Sequence, residues 1–161
     1  VSDQLGAADT PQSVPVGRSR HGELTLDQIA ELQPGLGRLM PDVSERYWIL
    51  YYAARGGNWG LARYCVQQIR ALFRVGATTR PQMRRYLEAF DQGHLGAIDE
   101  AIAKQDFAAF EVAYRKGIDG ANAFHAATNH PEIVWQLPPN PPQHLYLGPV
   151  DERGKPRPPL V

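Results

Sequence analysis

DFAAFEVAYRKGIDGANAFHAATNHP, residues 106–131, is the stretch on which the fold turns. Asp106 stands where a helix N-cap belongs, because its short carboxylate accepts from the free N–H groups of a first helical turn. Pro131 closes the stretch, since the residue before a proline is pushed out of the helical region. Between them Phe107, Phe110, Tyr114, Gly117, Ile118, Ala121, His125 and Thr128 recur at three- and four-residue spacing. That spacing predicts a helix over about residues 107–129 with one apolar face. Such a helix cannot bury its own stripe, so the rest of the chain has to supply partners.

Three more stretches carry the same period. The first, over about residues 34–54, has Pro34 near its first turn and aligns Leu36, Leu39, Met40, Val43, Tyr47, Leu50, Tyr51 and Ala54. Pro41 inside it removes one internal hydrogen bond and predicts a kink. Gly56-Gly57 ends this helix, and Asn58 caps the next, over about residues 59–75, which buries Leu61, Ala62, Cys65, Ile69, Leu72 and Phe73. The third begins near Pro81 and reaches about residue 104, with Met83, Tyr86, Leu87, Phe90, His94, Ile98, Ala101 and Ile102 on one stripe. Gly93 and Gly96 weaken its middle by about 1 kcal/mol each relative to alanine. A short lead-in helix from Thr25 to Leu32, capped by Thr25, precedes the four.

The expected fold is therefore all-α: an antiparallel four-helix bundle over residues 24–135. An extended tail over residues 1–23 precedes it, and a proline-rich tail over residues 136–161 follows, each without an apolar period. Ile133-Val134-Trp135 is expected to lie extended along the bundle. Tyr47-Trp48-Ile49-Leu50-Tyr51-Tyr52 is apolar nearly all round, so the face with Trp48 and Tyr52 needs a second cover. A tail or a second subunit supplies it; aromatic residues are common interface anchors, which marks Trp48 and Tyr52 as candidate contacts with another protein or a second copy.

The chain has 161 residues, a formal net charge of zero, 43% apolar and 21% charged residues. That balance gives no footing for a general nucleic-acid or acidic-surface binder. Arg84, Arg85, Arg153, Lys155 and Arg157 read as solvated surface. The one cysteine, Cys65, excludes an intrachain disulfide and falls among core positions. No stretch approaches the roughly 20 apolar residues of a membrane-spanning helix. There is no phosphate loop, zinc spacing or nucleophile elbow, and no acid–base constellation, so no enzyme is expected. A start of Val1-Ser2-Asp3 fits removal of an upstream secretion signal, hence a periplasmic or secreted location.

Ala121-Asn122-Ala123-Phe124-His125 resembles the end of the last helix in class II c-type cytochromes, the cytochrome c-prime kind. There a Cys-x-x-Cys-His motif binds haem through two thioethers and a histidine ligand. Residues 55–62, 101–110 and 125–128 resemble the same family's first turn, its junction into the last helix and its ending. The resemblance spans residues 34–140 and implies a bundle scaffold. Ala121 and Phe124 stand at the two cysteine positions, so covalent haem is not expected, and Phe124 is placed to fill part of the vacated space.

His125 then has two readings: a core histidine with a hydrogen-bonding neighbour, or a ligand to noncovalent haem. His94 lies on the apolar stripe of its helix and is a candidate to face the same interior, with Met40 and Tyr47 on the opposite side. No metal is expected outside the haem reading. The leading expectation is a non-catalytic structural or binding component of a protein complex, gripping its partner through helix one and the tails. The alternatives are a noncovalent haem or electron-transfer protein and a carrier using the vacated cavity.

Overall fold

The structure, a computed structural model, describes residues 16–157. It is mostly helical, with one two-stranded sheet. The chain divides into two compact units at Gln33 and Pro34.

In the first unit, β1 (Val16–Ser19) pairs antiparallel with β2 (Gly22–Thr25), Val16 opposite Thr25 and Ser19 opposite Gly22. Gly22 sits at φ 134°, a conformation that other residues avoid, and lets the chain reverse. α1 (Leu26–Glu31) follows directly, with a capping box: Thr25 Oγ1 accepts from Gln28 N at 3.2 Å while Thr25 N donates to Gln28 Oε1 at 2.9 Å. The short helix behind Thr25 is thus as the sequence predicts. The extended tail expected up to residue 23 is instead a hairpin in its final residues. Its strands show no alternation because Val16 and Leu24 both remain exposed, so no buried face imposed a period of two. The earlier part of that expected tail, residues 1–15, lies outside the described residues.

The second unit begins with α2 (Leu36–Arg55), which contains Pro41. Gly57 at φ 81° turns the chain, and Asn58 Oδ1 accepts from Leu61 N at 3.0 Å to start α3 (Trp59–Thr79). α3 passes the expected stop at residue 75 because Gly76 serves packing, not termination. A methyl group there would lie 2.8 Å from Leu36 Cδ2, so α3 and α2 meet across bare backbone.

The expected third helix is present but interrupted. A 3₁₀ turn (Pro81–Met83) leads into α4 (Arg84–Phe90), a π-helical turn (Asp91–Leu95) and α5 (Gly96–Lys104). The wide turn coincides with Gly93 and Gly96, where helix propensity is weakest. Arg70 of α3 bridges it, with Nε 2.7 Å from Asp91 Oδ1 and Nη1 2.7 Å from Asp99 Oδ2. Gln105 in a left-handed conformation (φ 53°) ends α5, and Asp106 Oδ1 accepts from Ala109 N at 3.0 Å to cap α6 (Phe107–Ala127).

α2 packs along α3, α5 along α6, α4 and α5 against α3, and α2 and α4 against α6. Between them Leu50, Ile69, Leu95, Ile98, Ile102, Phe110 and Tyr114 are fully buried. Cys65 is 2% exposed, and burial pushes its thiol up to about 11, so it packs as an inert apolar group. No helix among the described residues is long and apolar enough to cross a membrane.

After α6 the described residues form no further helix, and they bring Trp135, Leu137 and Leu147 against the core. They also resolve the second face of α2. Trp48 Nε1 donates to Asn140 O at 2.9 Å, and Tyr52 Oη donates to Pro138 O at 2.8 Å. Tyr52 is 7% exposed. Of the two covers the sequence allows for Trp48 and Tyr52, a tail or a second subunit, the structure shows the protein's own C-terminal segment in place. Beyond it, Val150 bridges to Pro156, and Asp151 Oδ1 accepts from the amides of Arg153 and Lys155. Pro158 and Pro159 lie outside the described residues.

Candidate functional site

The last turns of α6 face a cleft of about 460 Å³. α2 supplies Leu36, Gly37, Met40, Pro41, Val43 and Ser44; α3 supplies Phe73; the 3₁₀ turn and α4 supply Met83, Tyr86, Leu87 and Phe90. Ala121, Phe124, His125 and Thr128 form the α6 wall, and His130, Ile133 and Trp135 complete the rim. The volume falls within the roughly 300–1,000 Å³ of small-molecule sites, and the walls are aromatic and aliphatic with few polar groups. Met40 and Met83 add flexible, polarizable thioethers, which adapt to irregular shapes. Pro41 has no N–H, so the carbonyl of Gly37, one turn earlier in the same wall, lacks its usual helical donor.

His125 is half-buried in this lining and is held by a defined partner. Its Nδ1 lies 3.1 Å from the carbonyl oxygen of Ile133. A carbonyl only accepts, so Nδ1 carries the proton and donates. In the neutral ring Nε2 is left with its lone pair free. Burial holds the imidazole below the ordinary histidine range, against the raising effect of the Ile133 carbonyl, and the neighbouring His130 lowers it further. The neutral form is therefore favoured. The same bond pins residue 133, and Asn122 pins residue 135 twice: Trp135 N donates to Asn122 Oδ1 at 2.6 Å and Asn122 Nδ2 donates to Trp135 O at 3.0 Å. Two side chains of α6 thus hold one wall of the cleft in place.

Four of the residues singled out in the sequence meet here: Met40, Ala121, Phe124 and His125. Phe124 packs edge-on against Tyr86 at 5.8 Å and Phe90 at 6.5 Å, so it forms part of the wall and leaves the cleft open. His94 and Tyr47 are not in the lining. His94 packs beside Phe90 and Phe124, its ring seated over Gly120 where a methyl group would collide with it. A candidate in the sequence to face the same interior as His125, it sits outside the lining that holds His125. Tyr47 is 2% exposed and its Oη donates to Tyr114 O at 2.9 Å, while Tyr114 Oη donates to Tyr47 O at 2.8 Å. The rings stack at 4.3 Å. Burial raises both phenols far above their ordinary values, so both stay protonated and committed to each other. Tyr47 therefore seals the interior instead of facing a ligand.

Sequence reasoning did not place Phe73, Trp135 or Asn122 at a site. Phe73 and Trp135 read only as core or extended positions, and Asn122 carried no role within the Ala121–His125 stretch. The pairing of Asn122 with Trp135 spans a change from helix to irregular chain, which no periodicity announces. Among the described residues, no three His, Cys, Asp or Glu side chains gather as a metal site. Comparison with family models, curated proteins and solved structures found no match for this chain.

Proposed function

We propose that this protein is a non-catalytic carrier that holds a small, largely apolar molecule in the cleft beside His125. Its scaffold is read as an antiparallel four-helix bundle of the cytochrome c-prime kind that has lost covalent haem. The single observation that supports the reading most is the position of the cleft. It opens at the turn of α6 bearing Ala121, Phe124 and His125, where the resembled family attaches its cofactor. A bundle that loses a large cofactor must refill, collapse or admit another guest. An open, aromatic-walled cleft favours the guest. A purely structural subunit is less well supported, because the aromatic face expected to bind a partner is occupied from within.

The test is a titration with a fluorescent apolar dye, with Ala121→Trp as the blocking variant. Ala121 is 7% exposed and lines the cleft, so an indole there fills space otherwise open to a guest. Dye binding is expected to weaken at least tenfold, with helical circular dichroism unchanged. Equal binding by both proteins refutes the carrier.

One observation favours a narrower second reading, noncovalent haem: the Ile133 carbonyl fixes the His125 proton on Nδ1 and leaves Nε2 free, as in ligating histidines. The residues fit to that extent. His125 would hold the iron, with Met40 and Phe124 in the surrounding wall, and the group would supply a redox or gas-binding centre. Haem titration followed by absorption decides it. A Soret shift lost in His125→Ala supports haem, and a spectrum identical to free haem removes it.

A further inference from the structure

A guest of the cleft has to match the groups that its walls leave unmet. Among the described residues that line it, none is a lysine, arginine, aspartate or glutamate. A carboxylate or an ammonium would lose hydration on entering and find no counter-charge, which costs far more than burying a neutral polar group. His130 on the rim does not change this, because its Nδ1 lies 3.1 Å from Glu132 Oε1, which matches any charge it takes up. Two hydroxyls of the lining already have partners within the protein. Thr128 Oγ1 donates to Phe124 O at 2.8 Å, and Tyr86 Oη accepts from the exposed Arg85 at 2.7 Å. The third, on Ser44, is exposed and can donate or accept.

The groups left over are acceptors. His125 Nδ1 gives its proton to the Ile133 carbonyl at 3.1 Å, so Nε2 of the neutral ring can only accept. Nε2 is also accessible: among the described residues, Arg46 Nε is the side-chain atom that is buried without a partner. On the α2 wall, Pro41 leaves the Gly37 carbonyl without its helical donor, and the space beside the Gly37 Cα is open. The rings of Phe73, Phe90, Phe124 and Trp135 line the same space, and aromatic walls gain most from a flat aromatic guest in offset or edge-on contact. We propose that the guest is an uncharged phenol, its ring lying among these aromatic walls and its O–H donating to His125 Nε2. A phenol brings the one thing the cleft lacks, a donor, and brings no charge. The inference rests on the carrier reading above and narrows it to a ligand class.

The experiment titrates the full chain with three probes on one ring system: β-naphthol, its methyl ether and β-naphthoate. The ether keeps the rings and loses the O–H; the naphthoate replaces it with a charge. Calorimetry is expected to show β-naphthol binding about tenfold tighter than either of the others. His125→Asn is the matching variant, because its side-chain N–H can still donate to the Ile133 carbonyl while no acceptor remains at the position of Nε2. With helical circular dichroism unchanged, the preference for β-naphthol over its ether is expected to fall below about twofold. Comparing the two probes within each protein cancels any change in the size of the cleft. Equal binding of naphthol and ether by the unaltered protein overturns the phenol and leaves the carrier standing. Naphthoate binding as tightly as naphthol overturns the requirement for an uncharged guest. A preference that survives in His125→Asn overturns the assignment to Nε2. Binding of none of the three overturns the carrier reading itself, and the phenol with it.

Discussion

The Tyr47–Tyr114 layer and the His125 cleft both draw on α2 and α6 and on similar aromatic residues, with α3 and α4 adding further walls to the cleft. One is closed and the other open. At Tyr47 and Tyr114 each hydroxyl finds the carbonyl of the other residue, and Gly117 leaves room for the Tyr47 ring to reach across. Both hydroxyls are satisfied, and both rings are buried. One to two turns further along α6, Ala121 presents a methyl group where a larger side chain would fill the gap. Pro41 breaks the hydrogen-bond ladder of α2 on the opposite wall. Closure here depends on reciprocal polar pairing between helices, and openness on small or ladder-breaking residues at the matching level.

The largest effect is expected from breaking the closed side. A methyl group at Gly117 would strike Tyr47 Oη, so Gly117→Ala is expected to cost about 2–3 kcal/mol in chemical denaturation. A cost near zero would mean that the tyrosine layer is not tightly fixed. Tyr114→Phe removes one of the paired hydroxyls and leaves the buried Tyr47 carbonyl without that donor. About 1–2 kcal/mol is expected from it, with dye binding in the cleft unchanged. Loss of dye binding there would show that the two levels are not independent.

On the open side, Asn122→Ala releases both bonds to Trp135 and is expected to cost about 1 kcal/mol. It should also raise the solvent quenching of Trp135 fluorescence. Unchanged quenching would show that the wall is held by something else. The smallest effect concerns pH. Burial holds His125 below its unfolded value in the folded state, so between the two values the unfolded chain binds more protons. Its stabilising contribution is complete above the unfolded value, about 6.5, and is lost as pH falls through the lower folded value. Denaturation at pH 5 and pH 8 should therefore differ less in His125→Gln than in the unaltered protein.

Helix existence was legible wherever an apolar face is buried along its whole length. α6 shows this best: Asp106 caps it, and its stripe of Phe110, Tyr114, Gly117 and Ala121 is buried as the spacing predicts. Helix ends were less legible where glycine has two uses. Gly57 turns the chain, whereas Gly76 allows close packing inside α3, and nothing local separates them. The hairpin at Val16–Thr25 carried no alternation because neither of its faces is buried. At the site, Met40, Ala121 and His125 were legible from helical phase, whereas Phe124 was singled out only through the resemblance carried by the Ala121–His125 stretch. His94 and Tyr47 shared that phase, but their rings were claimed by Gly120 and by Tyr114.

The amino-acid order alone determined the helical character, the caps at Thr25, Asn58 and Asp106, and the face of α6 on which His125 lies. Those properties arise from spacing and from hydrogen bonds that reach no further than four residues. Only the tertiary structure decided that one level closes while another opens, and that Trp48 and Tyr52 are covered by residues 138–140. Those outcomes depend on groups 67 to 92 positions apart in the chain meeting at hydrogen-bonding distance, and no local pattern encodes which distant carbonyl arrives.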